Sequence, residues 1–273
     1  MDRLSTLLDH FSLHASTFHK GGFCGTAAYS GQEPRGHVHL LRAGRVAFRE
    51  GNGRPLVLSE PSLMLIALPQ AHQLVATEAD NAELVCATLR FDGGIDNPLS
   101  RALPSTVVMP LSALPELGGT LDWLFNEAFG AHCGRDAILN RLFELMVIQL
   151  LRHVMEAGSI SSGMMAGLAD PRIARAMTLM HDQPANNWTV AELASAANMS
   201  RASFAAQFHT VVGSTPADYL VGWRVSLAQK RLREGRPIAL IADEVGYESG
   251  SALARAFRRK VGASPREWLQ QLV

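Results

Sequence analysis

The stretch that decides the fold is written twice, as "VAELASAANMSRASFAAQFHTVVGSTP" at residues 190–216 and "IALIADEVGYESGSALARAFRRKVGASP" at residues 238–265. Each copy opens as a short helix with alanine at its centre and turns at Asn198-Met199 or Gly246-Tyr247. Each restarts at a serine, runs through a second helix with one phenylalanine to bury (Phe208, Phe257), and closes on Gly-x-Ser/Thr-Pro. A small residue where two helices cross, a turn, and a second helix with one polar face make a helix-turn-helix. A single match is commonly a structural hairpin. Two in tandem, one long helix apart ("ADYLVGWRVSLAQKRLREG", 217–235), predict recognition helices in successive major grooves, about 34 Å apart.

Helix punctuation extends the pattern upstream. Asp170 caps a helix with Pro171 at its first position, Thr189 and Glu192 form a capping box, and Ser200 caps the next helix, which Gly213 ends. The small, glycine-rich "GSISSGMMAG" (158–167) reads as a linker, placed at 158–169. Before it the texture changes. From about 20 to 92, short apolar or alternating runs recur at roughly ten-residue intervals between turn residues, which is the writing of a β-barrel or sandwich. Residues 1–16 read as an amphipathic helix on Leu4, Leu7, Leu8 and Phe11, and "GGFCGT" (21–26), within "KGGFCGTAAYSG" (20–31), as a loop around Cys24. After Pro104 the pattern turns helical. The apolar stripe of 136–157 suits a central packing helix or a dimer surface. The predicted class is α+β: a β-barrel domain with trailing helices at 1–157, the linker, and an all-α domain with two helix-turn-helix units at 170–273.

The 273 residues balance 25 Lys and Arg against 25 Asp and Glu, but unevenly. Residues 1–169 hold 12 basic and 16 acidic groups, net −4, and residues 170–273 hold 13 and 9, net +4. A basic C-terminal part suits a polyanion. No apolar run approaches the ~20 residues of a membrane span, so no membrane partner is expected. Three cysteines, an odd number and too few for a disulfide scaffold, fit a reducing cytoplasmic setting.

The stretch "IADEVGYESGSALARAFRRKVGASPREW" (241–268) resembles the signature of AraC/XylS-type transcription regulators, over 171–270. "LADPRIARAMTLMHDQPANNWTVAELASAANMSRASFAAQF" (168–208) and "LIALPQAHQL" (65–74) resemble the subgroup with a cupin-type sensor, and "VCATLRF" (85–91) and the early cysteine are similar to its reactive-chlorine-responsive members. The resemblance implies a DNA-binding regulator, leaning to activation, with promoter DNA and RNA polymerase as partners, a possible homodimer, and no catalytic residues. It places Arg255 in the second recognition helix, where arginine can read guanine bidentately. Ser249, Ser251, Arg258 and Arg259 are candidate phosphate contacts, and Arg201, Ser203 and Gln207 are their counterparts in the first unit. That first helix departs from the family by offering Ala202, Ala205 and Ala206 where larger polar readers are common, so weak reading is expected there.

In the barrel segment, His37 and His39 are spaced by one residue and share a strand face. The enzyme-type cupin set is incomplete, because Glu50 falls past the strand. The resemblance implies instead a four-ligand cluster of Cys24, His39, His72 and Cys86, suited to zinc or alternatively copper(I), with Cys24 and Cys86 as redox targets. The other readings are buried filler with locally bonded histidines, and a small organic effector without metal. Cys133 has no comparable set of partners.

Overall fold

A computed structural model describes residues 2–92, 97–157 and 162–272. It divides into two units. The first consists of Ser12–Ile95 and Leu99–Val154, and its strands are β1 (Leu13–Phe23), β2 (Gly25–Tyr29), β3 (Gly36–Ala43), β4 (Val46–Glu50), β5 (Leu56–Leu58), β6 (Ser62–Ile66), β7 (His72–Ala76), β8 (Ala82–Phe91) and β9 (Thr106–Pro110). They form a five-stranded antiparallel sheet in the order β1-β8-β3-β6-β9 and a four-stranded one in the order β2-β7-β4-β5.

Side chains alternate along each strand, so one parity of every strand points between the sheets. That interior holds Leu41, Phe48, Met64, Leu74, Leu84 and Cys86. The other face of the larger sheet is also covered. Helix α3 (Gly118–Phe129) lies against β1, and α4 (Arg135–Glu156) is tied to it by Asn140 and Glu144, which accept from the backbone N–H of Thr17 and Ala15. Burial on both faces explains why β3 reads as an unbroken buried run from Gly36 to Leu41. It also settles the stripe on α4. Leu139, Leu142, Phe143, Met146, Val147, Leu150, Leu151 and Val154 are all buried within this unit, while Leu145 is exposed.

Two readings of the N-terminal sequence need correction. The first helix, α1, spans only Ser5–His10, and residues 13–23 are a strand. The glycine-rich stretch is not a loop either: β1 runs through Gly21 and Gly22 to Phe23, and β2 begins at Gly25, leaving Cys24 at the corner.

The second unit comprises α1 and the helices after Met155. These are α5 (Met164–Ala169), α6 (Pro171–Asp182), α7 (Val190–Ala196), α8 (Arg201–Val212), α9 (Pro216–Arg233), α10 (Ile238–Glu244), α11 (Gly250–Val261) and α12 (Pro265–Gln270); α2 is the short Pro98–Ala102. Part of the expected linker is thus helical, with Met165 and Leu168 fully buried in α5; residues 158–161 of it lie outside the described residues. The capping sequence works as written. Asp170, Thr189, Ser200, Thr215, Ser249 and Ser264 each accept a backbone N–H of their own helix.

The chain's first residues belong to this helical unit. Leu4, Leu7 and Phe11 are buried, the Phe11 ring meets Trp223 edge-on with centroids 5.3 Å apart, and Arg3 donates to the Leu168 carbonyl at 2.7 Å. Lys230 donates to the carbonyl of His10. Beneath them His181 Nε2 lies 2.7 Å from the Tyr219 hydroxyl and its ring packs on Trp223. Burial holds the His181 imidazole down to about 3, so it is neutral at ordinary pH.

Candidate functional site

The two helix-turn-helix units share their internal logic. In the first, α7 meets α8 with Phe204 and Phe208 fully buried, and Asn198 takes positive φ in the turn. In the second, α10 meets α11 with Leu253 and Phe257 fully buried, and Gly246 takes positive φ. Both second helices start on a serine cap and end on a left-handed glycine, Gly213 or Gly262. Their outer faces differ. On α8 the exposed positions are Arg201, Ala202, Ser203, Ala206, His209 and Thr210; on α11 they are Ser251, Arg255, Arg258, Arg259 and Lys260.

Hydrogen bonding grades the candidate DNA residues further. Gln207 is half-buried and donates to Asp170 Oδ2 at 2.6 Å, so it braces the cap of α6 rather than offering its amide outward. Ser249 accepts from the Ala252 N–H as the cap of α11, and its hydroxyl meets that of Ser251 at 2.9 Å. Arg258 is paired with Glu267 at 3.0 Å. Arg201, Arg255 and Arg259 are exposed and make no ion pair among the described residues, which leaves their guanidinium forks available to phosphate or guanine.

A second constellation lies in the strand unit. At one end of the space between the sheets stand Tyr29, His37, His39, Glu50 and His72, delivered by β2, β3, β4 and β7. Register explains the grouping: on β7, His72 pairs with both Glu50 and Tyr29, and on β3, His39 pairs with Cys86 and Met64. The Tyr29 ring stacks on His72 at 4.5 Å between centroids, and the His37 and His39 rings lie 5.0 and 5.2 Å from it. Glu50 is therefore not past the strand as its sequence context suggested. It ends β4, and its Oε1 accepts from Thr106 at 3.0 Å and from Gln70.

The protons of this layer follow from its partners. His72 Nδ1 sits 2.9 Å from the Gln70 carbonyl, which can only accept, so Nδ1 carries the hydrogen and Nε2 is a bare acceptor in the neutral ring. His39 Nε2, 3.0 Å away, must then donate to it. That leaves His39 Nδ1 unprotonated, buried and without a partner among the described residues. Burial lowers all three imidazoles, His37 to about 4 and His39 well below its ordinary value, so the three rings are neutral.

The expected four-ligand cluster is only partly assembled. His39 and His72 touch, and Cys86 stands opposite His39 on β8. Burial pushes the Cys86 thiol up. Cys24 is exposed at the β1–β2 corner, just past Phe23, whose partner Ala82 stands four residues along β8 from Cys86, about 13 Å away at the rise of a strand. The 3.0 Å imidazole separation suits a shared proton. Among the described residues no three His, Cys, Asp or Glu side chains are placed to hold a metal ion. The residues as arranged do not fit a Cys2His2 zinc or copper(I) site, and a Cys24–Cys86 disulfide is out of reach.

Comparison with known proteins agrees with this division of labour. The cupin family model matches residues 2–156, and the helix-turn-helix domain model matches residues 193–271. An AraC-like transcription regulator of Streptomyces antibioticus is 48% identical over 133 residues, a match covering 48% of this chain and 44% of that protein. The chain therefore spans less than half the length of that curated relative. The RCS-specific HTH-type transcriptional activator RclR of Escherichia coli is 30% identical over 239 residues, covering 86% of this chain and 84% of its own. Among solved structures, the DNA-binding domain of AdpA in complex with a target DNA is 32% identical, covers 37% of this chain and 92% of its own, and has a TM-score of 0.34.

Proposed function

The chain belongs to the AraC-like transcription regulators that carry a cupin domain ahead of a helix-turn-helix domain, and from that premise we propose that it binds promoter DNA and regulates transcription in response to an effector sensed by its cupin unit. The observation that carries this reading is the tandem pair of capped helix-turn-helix units, whose second recognition helix presents Arg255 and Arg259 without partners among the described residues. Activation, through contact with RNA polymerase, is the expected mode, as the name of the Escherichia coli relative suggests. Selection of bound sequences from a random duplex pool tests the proposal. A single enriched motif, with binding that weakens steeply as salt rises, is the expected result. An unenriched pool would sink it.

For the effector, the histidine layer is the proposed sensing site. Its support is a buried neutral imidazole pair with one bare nitrogen at His39 Nδ1, in a family member's cupin unit. A small hydrogen-bonding organic molecule fits that chemistry without metal. A second reading, an oxidant acting on the exposed Cys24 thiol, is favoured by the "RCS-specific" name of the relative that covers most of the chain. Cys24→Ser separates them: under the oxidant reading it abolishes the response to hypochlorous acid while leaving DNA affinity intact. Elemental analysis of purified protein decides whether any zinc or copper is carried at all.

A further inference from the structure

Arg224 lies on α9, between the two helix-turn-helix units, and is 7% exposed. Each of its three guanidinium nitrogens donates a hydrogen bond. Nε donates to the Pro184 carbonyl at 2.7 Å, Nη2 to Asn186 at 3.0 Å, and Nη1 to Gly246 at 3.2 Å. Its central carbon lies 5.4 Å from the Tyr247 ring centroid. Pro184 and Asn186 belong to the loop that enters the first unit, and Gly246 is the turn of the second. The loop and turn also meet directly. Gly246 has φ +83°, and a Cβ there would stand 2.6 Å from the backbone of Ala185.

A guanidinium is rigid and planar, so three bonds from it specify the relative positions of three carbonyls. A buried cation held by neutral carbonyls and an aromatic ring adds little net stability, because its desolvation offsets the bonds. What it adds is geometry. We propose that Arg224 is a positioning residue that fixes the spacing and angle between α8 and α11, and with them the spacing between the two DNA elements the chain reads. The DNA part rests on the function proposed above; the joint itself does not.

The test has two arms on the full chain. In the first, spin labels at Thr210→Cys and Ser251→Cys, in a Cys24→Ser, Cys133→Ser background with Cys86 buried, report the distance between α8 and α11 without DNA. A single narrow distribution is expected with Arg224 present and one at least about twice as broad in Arg224→Gln, since one amide cannot satisfy three carbonyls. Arg224→Lys keeps the charge without the fork and should broaden it too; it also serves if Arg224→Gln melts early. An unchanged narrow distribution in either variant overturns the proposal. In the second arm, the duplex selected by the unlabelled wild type is rebuilt with one base pair inserted between its two elements. Wild type should lose at least about tenfold in affinity and Arg224→Gln less than about threefold. Equal losses overturn the proposal. If the wild type selects no sequence, the DNA reading falls and the distance arm still judges the joint.

Discussion

The two helix-turn-helix units are close copies inside and unlike outside. Both bury a pair of large apolar side chains beneath the second helix, both cap that helix with serine, and both stop it with a left-handed glycine. Yet α8 shows alanines and spends Gln207 on an internal brace, while α11 shows a row of arginines. The difference teaches that scaffold and reading surface are separable: the first is fixed by packing and caps, the second by whatever side chains remain exposed. The first unit also rests on a buried histidine, His181, whereas no histidine follows His209 in the sequence.

Truncating the two core phenylalanines should produce the largest effects and should not tell the units apart. Phe208→Ala and Phe257→Ala are each expected to cost about 3–5 kcal/mol in denaturant unfolding. A much smaller cost in one would break the equivalence of the two cores. Acid should tell them apart. His181 is neutral when folded and protonates when unfolded, so the folded state keeps its full advantage above 6.5 and loses it as pH falls toward about 3. The loss is about 1.4 kcal/mol per pH unit, or about 2 kcal/mol at pH 5. Protection factors of amides in α6 and α9, corrected for the slower intrinsic exchange in acid, should therefore fall on mild acidification, and His181→Gln should blunt that fall. An identical fall in the variant would remove His181 as the cause.

The outer faces give the next contrast. Arg255→Ala should weaken binding to the selected duplex by about 1–3 kcal/mol and relax the motif at one position. Arg201→Ala should cost less and mainly lower the salt dependence, as a phosphate contact does. The reverse ranking, measured by titration at fixed salt, would make α8 the principal reader. The caps bring the comparison back to sameness. Ser200→Ala and Ser249→Ala should each cost about 1 kcal/mol in thermal or denaturant unfolding.

Much of the helical unit was legible in the sequence because its signals are local: a cap, a turn glycine and a proline each act within one turn of helix. The barrel was legible as a set of strands. Its first strand was not, because polar His14, Ser16, Thr17 and Lys20 interrupt its apolar pattern and Gly21 and Gly22 mimic a loop. The histidine pair was legible through the family resemblance, and its partners were not. Cys24 was grouped with them by resemblance, whereas register carries it to the far end of β8. Tyr29 and Glu50 join His72 only through the β2–β7 and β4–β7 pairings, which no local pattern encodes. Arg224 did leave a trace. It stands on the stripe formed by Leu220, Trp223 and Leu227, where a charge is out of place unless something buried receives it.

The residues of α1 precede the barrel in the chain, yet the surface that receives them, around Leu168, Trp223 and Lys230, is made only after it. Leu7 and Phe11 must therefore wait, uncovered, while roughly two hundred residues of barrel and helices are synthesised, and the helical unit closes only when α1 meets helices that lie beyond the barrel. Such late, distant pairing is slow compared with the local pairing inside each helix-turn-helix. A fragment that starts after the barrel inherits the receiving surface without its occupant, so its Trp223 edge should be sticky in a way that the full chain's is not.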